Sequence, residues 1–137
     1  MYALALNLLC SLLLTGAVWF FQMVHLPGFD EVGKKQFRLY MREHLMNLMT
    51  FALPLMIVEG VASLWLIVAM PSIEATIGLV ATIGVWVTLG MLHLPEYRAL
   101  AIDKDRKALK KLNFANWVLT AVWSVRSLAL LSILVLR

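Results

Sequence analysis

Four long apolar stretches alternate with three more polar connectors along the chain. The stretches run from about Ala3 to His25, Leu45 to Ala69, Ile77 to Leu94 and Phe114 to Leu136. Each approaches the roughly 20 residues that a helix needs to cross a bilayer core of about 30 Å. The runs are continuous rather than alternating, which favours helices over the strands of a membrane barrel. The pattern predicts an all-α membrane protein, one domain that forms an antiparallel bundle of four transmembrane helices.

The composition agrees with a membrane protein. Of the 137 residues, 62% are hydrophobic and only 15% are charged, whereas soluble domains average about 25% charged residues. The net charge of +4 comes from the connectors, so we expect the partner to be the lipid bilayer and not a nucleic acid. The first stretch has no basic leading segment and no clear cleavage site, which predicts a retained helix rather than a signal peptide.

Nearly all basic residues fall in the first and third connectors. These residues are Lys34, Lys35, Arg38, Arg42, Arg98, Lys104, Arg106, Lys107, Lys110 and Lys111. The second connector, residues 70–76, has no lysine or arginine, and neither has the N-terminus. The positive-inside rule therefore predicts a multi-pass protein with cytoplasmic basic connectors and both termini outside. We expect both basic connectors to be helical, with Asp103 capping a helix that begins at Lys104.

A short motif occurs twice. His25-Leu26-Pro27-Gly28-Phe29 recurs as His93-Leu94-Pro95-Glu96-Tyr97, and each copy closes an apolar stretch. Glu59 follows the first copy, and Arg126 the second, at nearly equal separations. This spacing predicts two repeated helical hairpins, residues 1–70 and 71–137, related by an axis near the membrane normal. The alternative is coincidence, because proline is common after a helix end.

Polar residues form stripes at helical spacing within two of the apolar stretches. The first stripe consists of Asn7, Ser11, Thr15, Trp19, Gln22 and His25, and the second of Asn113, Asn116, Thr120, Trp123 and Arg126. Such stripes are typical of helix faces that turn inward. Serine, threonine and asparagine can also simply hold membrane helices together, at about 0.6–2 kcal/mol per hydrogen bond.

Glu59 and Arg126 are charged residues near the middle of their apolar stretches. An unpaired charge at that depth costs at least about 2.5–3.5 kcal/mol. Their similar depth and opposite sign predict a mutual salt bridge. The bridge could be purely structural, or the pair could be catalytic, orienting a ligand or relaying protons.

Three histidines lie near the predicted cytoplasmic boundary: His25, His44 and His93. They could bind a transition metal, or two of them could ligate haem b axially. The alternatives are ordinary interfacial residues or a proton relay. Glu59 lies about 20 Å along its helix from His44, so one metal could not contact both side chains.

The run from Asn116 to Arg126 resembles the N-W-x-x-T-x-x-W-x-x-R close of a group of small bacterial four-helix membrane proteins of unknown function. The segments 22–29 and 54–59, together with His44, resemble other markers of that group, which looks distantly related to anthrone-oxygenase-like membrane proteins. Leu119 departs from the pattern, where arginine is usual. The resemblance implies a four-helix fold in a bacterial inner membrane and highlights His25, His44, Glu59, Trp123 and Arg126. It implies no established activity.

The leading hypothesis is a small redox or oxygenase-type protein that holds an aromatic, quinone-like or haem-like ligand inside the bundle. In this hypothesis Glu59 and Arg126 orient or protonate the ligand, and the histidines bind metal or haem. The residues expected to line the ligand are Gln22, Asn116, Thr120, Trp19 and Trp123, of which the two tryptophans would stack on it.

Two other classes of function remain open from the sequence. One is a non-enzymatic structural or accessory subunit of a membrane complex. The other is a small transporter or channel module that acts as a homo-oligomer, which predicts a water-accessible path past Gln22 and Glu59.

Overall fold

The computed structural model describes residues 1–136, which form four helices and no strand. The helices are α1 (Tyr2–Gly28), α2 (Lys34–Ala69), α3 (Ile73–Leu100) and α4 (Arg106–Leu136). All four are long and apolar enough to cross a membrane. The predicted all-α, four-helix, multi-pass membrane protein is therefore confirmed.

The basic connectors extend two of the helices beyond their apolar parts. α2 has 36 residues and α4 has 31, so at 1.5 Å per residue they measure about 54 and 46 Å, against a bilayer core of about 30 Å. Both extensions lie at the same end of the bundle, which we call the basic end. The short linker between α2 and α3 lies at the opposite end, with the chain's N-terminus.

The predicted cap of α4 is wrong by two residues. The helix begins at Arg106, and the Lys107 N–H donates to Asp105 Oδ1 at 2.8 Å. Asp103 instead accepts from the Lys104 N–H at 2.8 Å within the loop, and its other oxygen lies 3.5 Å from Lys34 Nζ. Two aspartates with similar capping preference lie two residues apart, so local sequence could not choose between them.

The histidine of each His-Leu-Pro motif is the last residue of a π-helical turn, Phe21–His25 in α1 and Leu89–His93 in α3. A proline removes one backbone N–H and its ring collides with the carbonyl four residues earlier, so the preceding turn widens. The two motifs thus have the same local structure. Duplication of the hairpin stays a prediction.

The helices form a ring in chain order, in which α1 contacts α2 and α4, and α3 contacts α2 and α4. The contact between α2 and α3 is the least extensive of these four. Large apolar side chains such as Val61, Val80 and Leu128 lie on the outer surface, about two thirds exposed. An outer surface of this kind suits lipid. Most residues of the two polar stripes, such as Asn7, Asn116 and Arg126, are buried inside the bundle, whereas Trp19 and Asn113 are exposed.

We expect Asp105→Ala to lower the free energy of unfolding by about 1 kcal/mol, because it removes the side chain that accepts from the first turn of α4. Asp103→Ala is the matched control, since its ion pair with Lys34 is exposed and contributes about 0–1 kcal/mol. Chemical unfolding in detergent, followed by helical circular dichroism, measures both. A larger loss for the Asp103 variant would contradict the observed start of α4.

Candidate functional site

The centre of the bundle contains a buried ion pair that joins two diagonally opposed helices. Arg126 of α4 is fully buried, and Glu59 of α2 is 1% exposed. Arg126 Nη1 donates to Glu59 Oε1 at 2.5 Å. The predicted salt bridge is confirmed, and a catalytic role for the pair stays a prediction.

The guanidinium of Arg126 also reaches the other two helices. Its Nη2 donates to Asn7 Oδ1 of α1 at 2.5 Å and to Ser63 Oγ of α2 at 2.7 Å. Its Nε donates to Thr82 Oγ1 and to the Gly78 carbonyl oxygen of α3 at 2.9 and 3.2 Å. One side chain therefore makes polar contacts with all three neighbouring helices.

The carboxylate of Glu59 has a second partner in Trp123, whose indole Nε1 lies 3.2 and 3.3 Å from its two oxygens. Among residues 1–136, no buried side-chain nitrogen or oxygen of this network lacks a hydrogen-bond partner. A network in which each buried polar atom has a partner inside the protein rigidifies the core. Its geometry is that of a structural cross-link.

An amide ladder joins α1 to α4 nearer the basic end. Gln22 Nε2 donates to Asn113 Oδ1 at 2.6 Å, and Asn116 Nδ2 donates to Gln22 Oε1 at 2.8 Å. Thr120 is satisfied within its own helix, because its hydroxyl donates to the Asn116 carbonyl at 2.7 Å. The ladder holds the Asn116 side chain in one orientation.

Two of the three histidines meet. His25 Nε2 and His44 Nδ1 are 3.0 Å apart in a hydrogen bond, and the ring centroids are separated by 4.7 Å. The rings of Phe21 and Phe29 pack against both. A metal held between two trans imidazoles at about 2.0 Å from each would set these nitrogens about 4 Å apart. The pair as it stands does not fit axial haem ligation.

His93 lies apart from that pair. Its Nδ1 is 3.4 Å from the Thr88 carbonyl oxygen on its own helix, and its ring stacks on Tyr97 at 6.4 Å. Within the described chain, no group of three or more His, Cys, Asp or Glu side chains could hold a metal. His93 makes no hydrogen bond or ring contact with the other two histidines among the described residues, although His44 and His93 both lie against Tyr97. The roles of the histidines as metal or haem ligands stay predictions.

A cavity of about 330 Å³ lies between α2 and α3, on the basic side of the ion pair. Its walls come from all four helices and are almost entirely apolar and aromatic. The residues that matter below are Phe51, Ala52, Trp86, His93, Tyr97, Asn116 and Trp123. Trp123 connects the two features, since it lines the cavity and donates to Glu59.

The structure divides the sequence-predicted ligand residues into two sets. Asn116 and Trp123 line the cavity, whereas Gln22 and Thr120 lie behind its wall. Trp19 faces outward at 43% exposure, and its Nε1 donates to Ser124 Oγ at 3.0 Å. Trp19 does not line this cavity, and its stacking on a ligand stays a prediction.

Glu59 and Arg126 also do not line the cavity, so direct orientation of a ligand there by the pair is not supported. Sequence reasoning had not included Tyr97 or Ala52 in the site. Tyr97 falls one helical turn after His93, a spacing that could have indicated it.

A larger open groove of about 1010 Å³ lies at the basic end and carries charges of both signs. Its Lys104 is already engaged: Nζ donates to the Asp30 and Val32 carbonyl oxygens at 2.7 and 2.9 Å and lies 5.4 Å from the Phe37 ring centroid. Lys104 thereby joins the third connector to the first, and the groove is a solvated surface.

No family model, curated protein or solved structure matches the chain. The resemblance to small bacterial four-helix membrane proteins thus stays a prediction, and function rests on the geometry of the site.

We expect Arg126→Met to lower the free energy of unfolding by about 3–5 kcal/mol, because a buried carboxylate loses its counter-charge. Adding Glu59→Leu should recover a large part of that loss, since both charges are then gone. Unfolding of the two single variants and the double variant in detergent measures the coupling.

The control for this cycle is Lys111→Met, which breaks the more exposed Lys111–Glu96 pair at 3.6 Å and should change stability by less than about 1 kcal/mol. Strictly additive losses in the Glu59 and Arg126 cycle would show that the two side chains do not stabilise one another.

Proposed function

We propose that the protein binds a hydrophobic aromatic molecule of quinone-like size, which enters the bundle from the bilayer between α2 and α3. The observation that carries the proposal is an apolar, aromatic-walled cavity that is lined by both α2 and α3. Binding is the proposed activity, and redox or oxygenase chemistry on the bound molecule stays a prediction.

The size and lining of the cavity support a small-molecule site. Its volume of about 330 Å³ falls within the usual range of about 300–1,000 Å³. Such sites are mostly apolar, with a few polar groups that fix the orientation of the ligand. Here the polar groups are on α3 and α4, and the α2 wall is entirely apolar or aromatic.

The position of the cavity supports entry from lipid. Met49, Phe51 and Trp86 line it and are also 46%, 50% and 43% exposed on the outer surface of α2 and α3. These two helices have the least extensive contact in the ring. A molecule dissolved in the acyl chains can reach this opening without crossing water.

The buried network gives less support to a channel. The polar side chains inside the bundle bond directly to one another, as in the Asn7–Arg126 and Gln22–Asn116 contacts. Gln22 and Glu59 are 5% and 1% exposed. An accessory subunit remains the alternative, and it predicts that no aromatic ligand binds.

Filling the cavity tests the proposal. Ala52→Phe places a ring in the space, and should weaken binding of 1-methoxynaphthalene by about tenfold or more, which corresponds to about 1.4 kcal/mol. The measurement is isothermal titration calorimetry in lipid nanodiscs, with empty nanodiscs as the blank for partitioning.

Val61→Phe is the matched control, because it adds the same ring to a lipid-facing position of α2 that is 63% exposed. It should leave the affinity unchanged. Heat no greater than that of empty nanodiscs, with the unaltered protein, would overturn the proposal and favour the accessory subunit.

We also propose that the basic end faces the cytoplasm and that both termini lie outside. A cysteine at Lys107 should then resist a membrane-impermeant maleimide in intact spheroplasts, whereas one at Ser72 should react. Cys10 is buried, so the unaltered chain serves as the background control. The reverse pattern of labelling would contradict this orientation.

A further inference from the structure

The cavity between α2 and α3 offers few polar partners to a ligand, because its walls are almost entirely apolar and aromatic. Two of the polar side chains on its lining are already engaged. Asn116 Nδ2 donates to Gln22 Oε1, and Trp123 Nε1 donates to the Glu59 carboxylate. A polar group that is buried without a hydrogen bond costs free energy, and a charged group costs more. A charged group on a ligand must therefore lie outside the cavity, at the level of the lipid headgroups.

The α2 wall of the cavity continues along the same helix face into the basic end. Arg38 lies seven residues before Leu45, and Arg42 seven residues before Met49, which is about two helical turns in each case. Leu45 and Met49 both line the cavity. Because α2 is a single helix over Lys34–Ala69, the two arginines are in line with cavity-lining residues and lie beyond them towards the basic end.

Both arginines are exposed, and neither side chain makes a hydrogen bond or an ion pair within residues 1–136. The acidic residue nearest to them in sequence, Glu43, lies about 160° around α2 from Leu45 at about 100° per residue, on the opposite face of the helix. On α3, Glu96 is engaged by Lys111 of α4 at 3.6 Å. Two positive charges therefore lie at the basic end of the α2 wall without a carboxylate on the same helix face.

We infer that the ligand of the cavity is an amphiphile, with an aromatic body inside the cavity and an anionic group, a carboxylate or a phosphate, bound by Arg38 and Arg42. A guanidinium suits either group, because its N–H donors form a planar fork that matches the oxygens of both. This inference rests on the proposed function and specifies its ligand class.

The opposite side of the bundle offers a matched pair of cations. Arg106 and Lys110 of α4 are also exposed, and their side chains make no ion pair in the part of the chain that the structure describes. They line the open groove on the side of α1 and α4, together with Asp30 and Glu31, and they do not line the cavity. Removing them changes the charge of the basic end equally without altering the α2 face.

The test compares 6-(1-naphthyl)hexanoic acid with its methyl ester, which share the ring and the chain and differ in charge. In phosphatidylcholine nanodiscs, where no anionic lipid competes, the unaltered protein should bind the acid about tenfold more tightly than the ester, since each basic side chain near the membrane surface attracts an anion. The measurement is isothermal titration calorimetry with empty nanodiscs as the blank. The double variant Arg38→Gln with Arg42→Gln should bind the two probes with similar affinity.

Arg106→Gln with Lys110→Gln is the matched control, because it removes the same charge from exposed positions on the other side of the bundle. It should retain the preference for the acid. An equal loss of preference in the two double variants would show a diffuse attraction by the whole basic end, and would overturn the assignment to Arg38 and Arg42.

A probe without the ring tests the link between the arginines and the cavity. Hexanoate should not displace the naphthyl acid at equal concentration, because it leaves the cavity unfilled. Displacement by hexanoate would reveal a site for free anions and would contradict an amphiphilic ligand.

The outcomes separate this inference from the proposed function. Equal affinities of the unaltered protein for the acid and the ester would overturn the anionic ligand class and leave aromatic binding standing. The arginine double variant should still bind 1-methoxynaphthalene, which has no charge, and loss of that binding would show that the arginines act on the cavity itself and not on an anion. Binding of none of the naphthyl probes by the unaltered protein would overturn the proposed function.

Discussion

The ion pair between Glu59 and Arg126 is the constraint on which the rest of the bundle depends. A charge in the middle of a bilayer is unfavourable unless it is paired, and a guanidinium needs several acceptors. Arg126 finds them on every other helix, through Asn7, Glu59, Thr82 and the Gly78 carbonyl. Rotation of any one helix by a single residue would remove a partner, so the network fixes the facing of all four.

The cavity begins where that network ends. On the side away from the basic end the helices pack through an apolar cluster that includes Leu4, Leu66 and Leu130. Towards the basic end α2 and α3 share less contact. Trp123 lies at the boundary between the two. Its indole Nε1 donates to the Glu59 carboxylate, and the same residue lines the cavity. The hydrogen-bonded layer thereby closes one end of the cavity, and the charged pair contributes no side chain to its lining.

Most polar side chains in the interior form hydrogen bonds with one another. The buried residues Asn7, Ser63 and Thr82 have their partners within the protein, which is the behaviour of side chains that hold membrane helices together. The apolar cavity lies outside this network, because neither Glu59 nor Arg126 lines it.

The sequence by itself determined the four spans, since apolar length and continuity are sufficient to specify a membrane helix. It also determined the salt bridge, because two opposite charges at equal depth have few other ways to be neutralised. Only the tertiary structure decided which histidines meet: His25 and His93 both end a π-helical turn before a proline, yet only His25 packs against His44. It likewise decided that Trp19 faces outward and that Ala52 and Tyr97 line the cavity between α2 and α3. Helical spacing gives the face on which a residue lies, but the separation of α2 from α3 results from how all four helices pack.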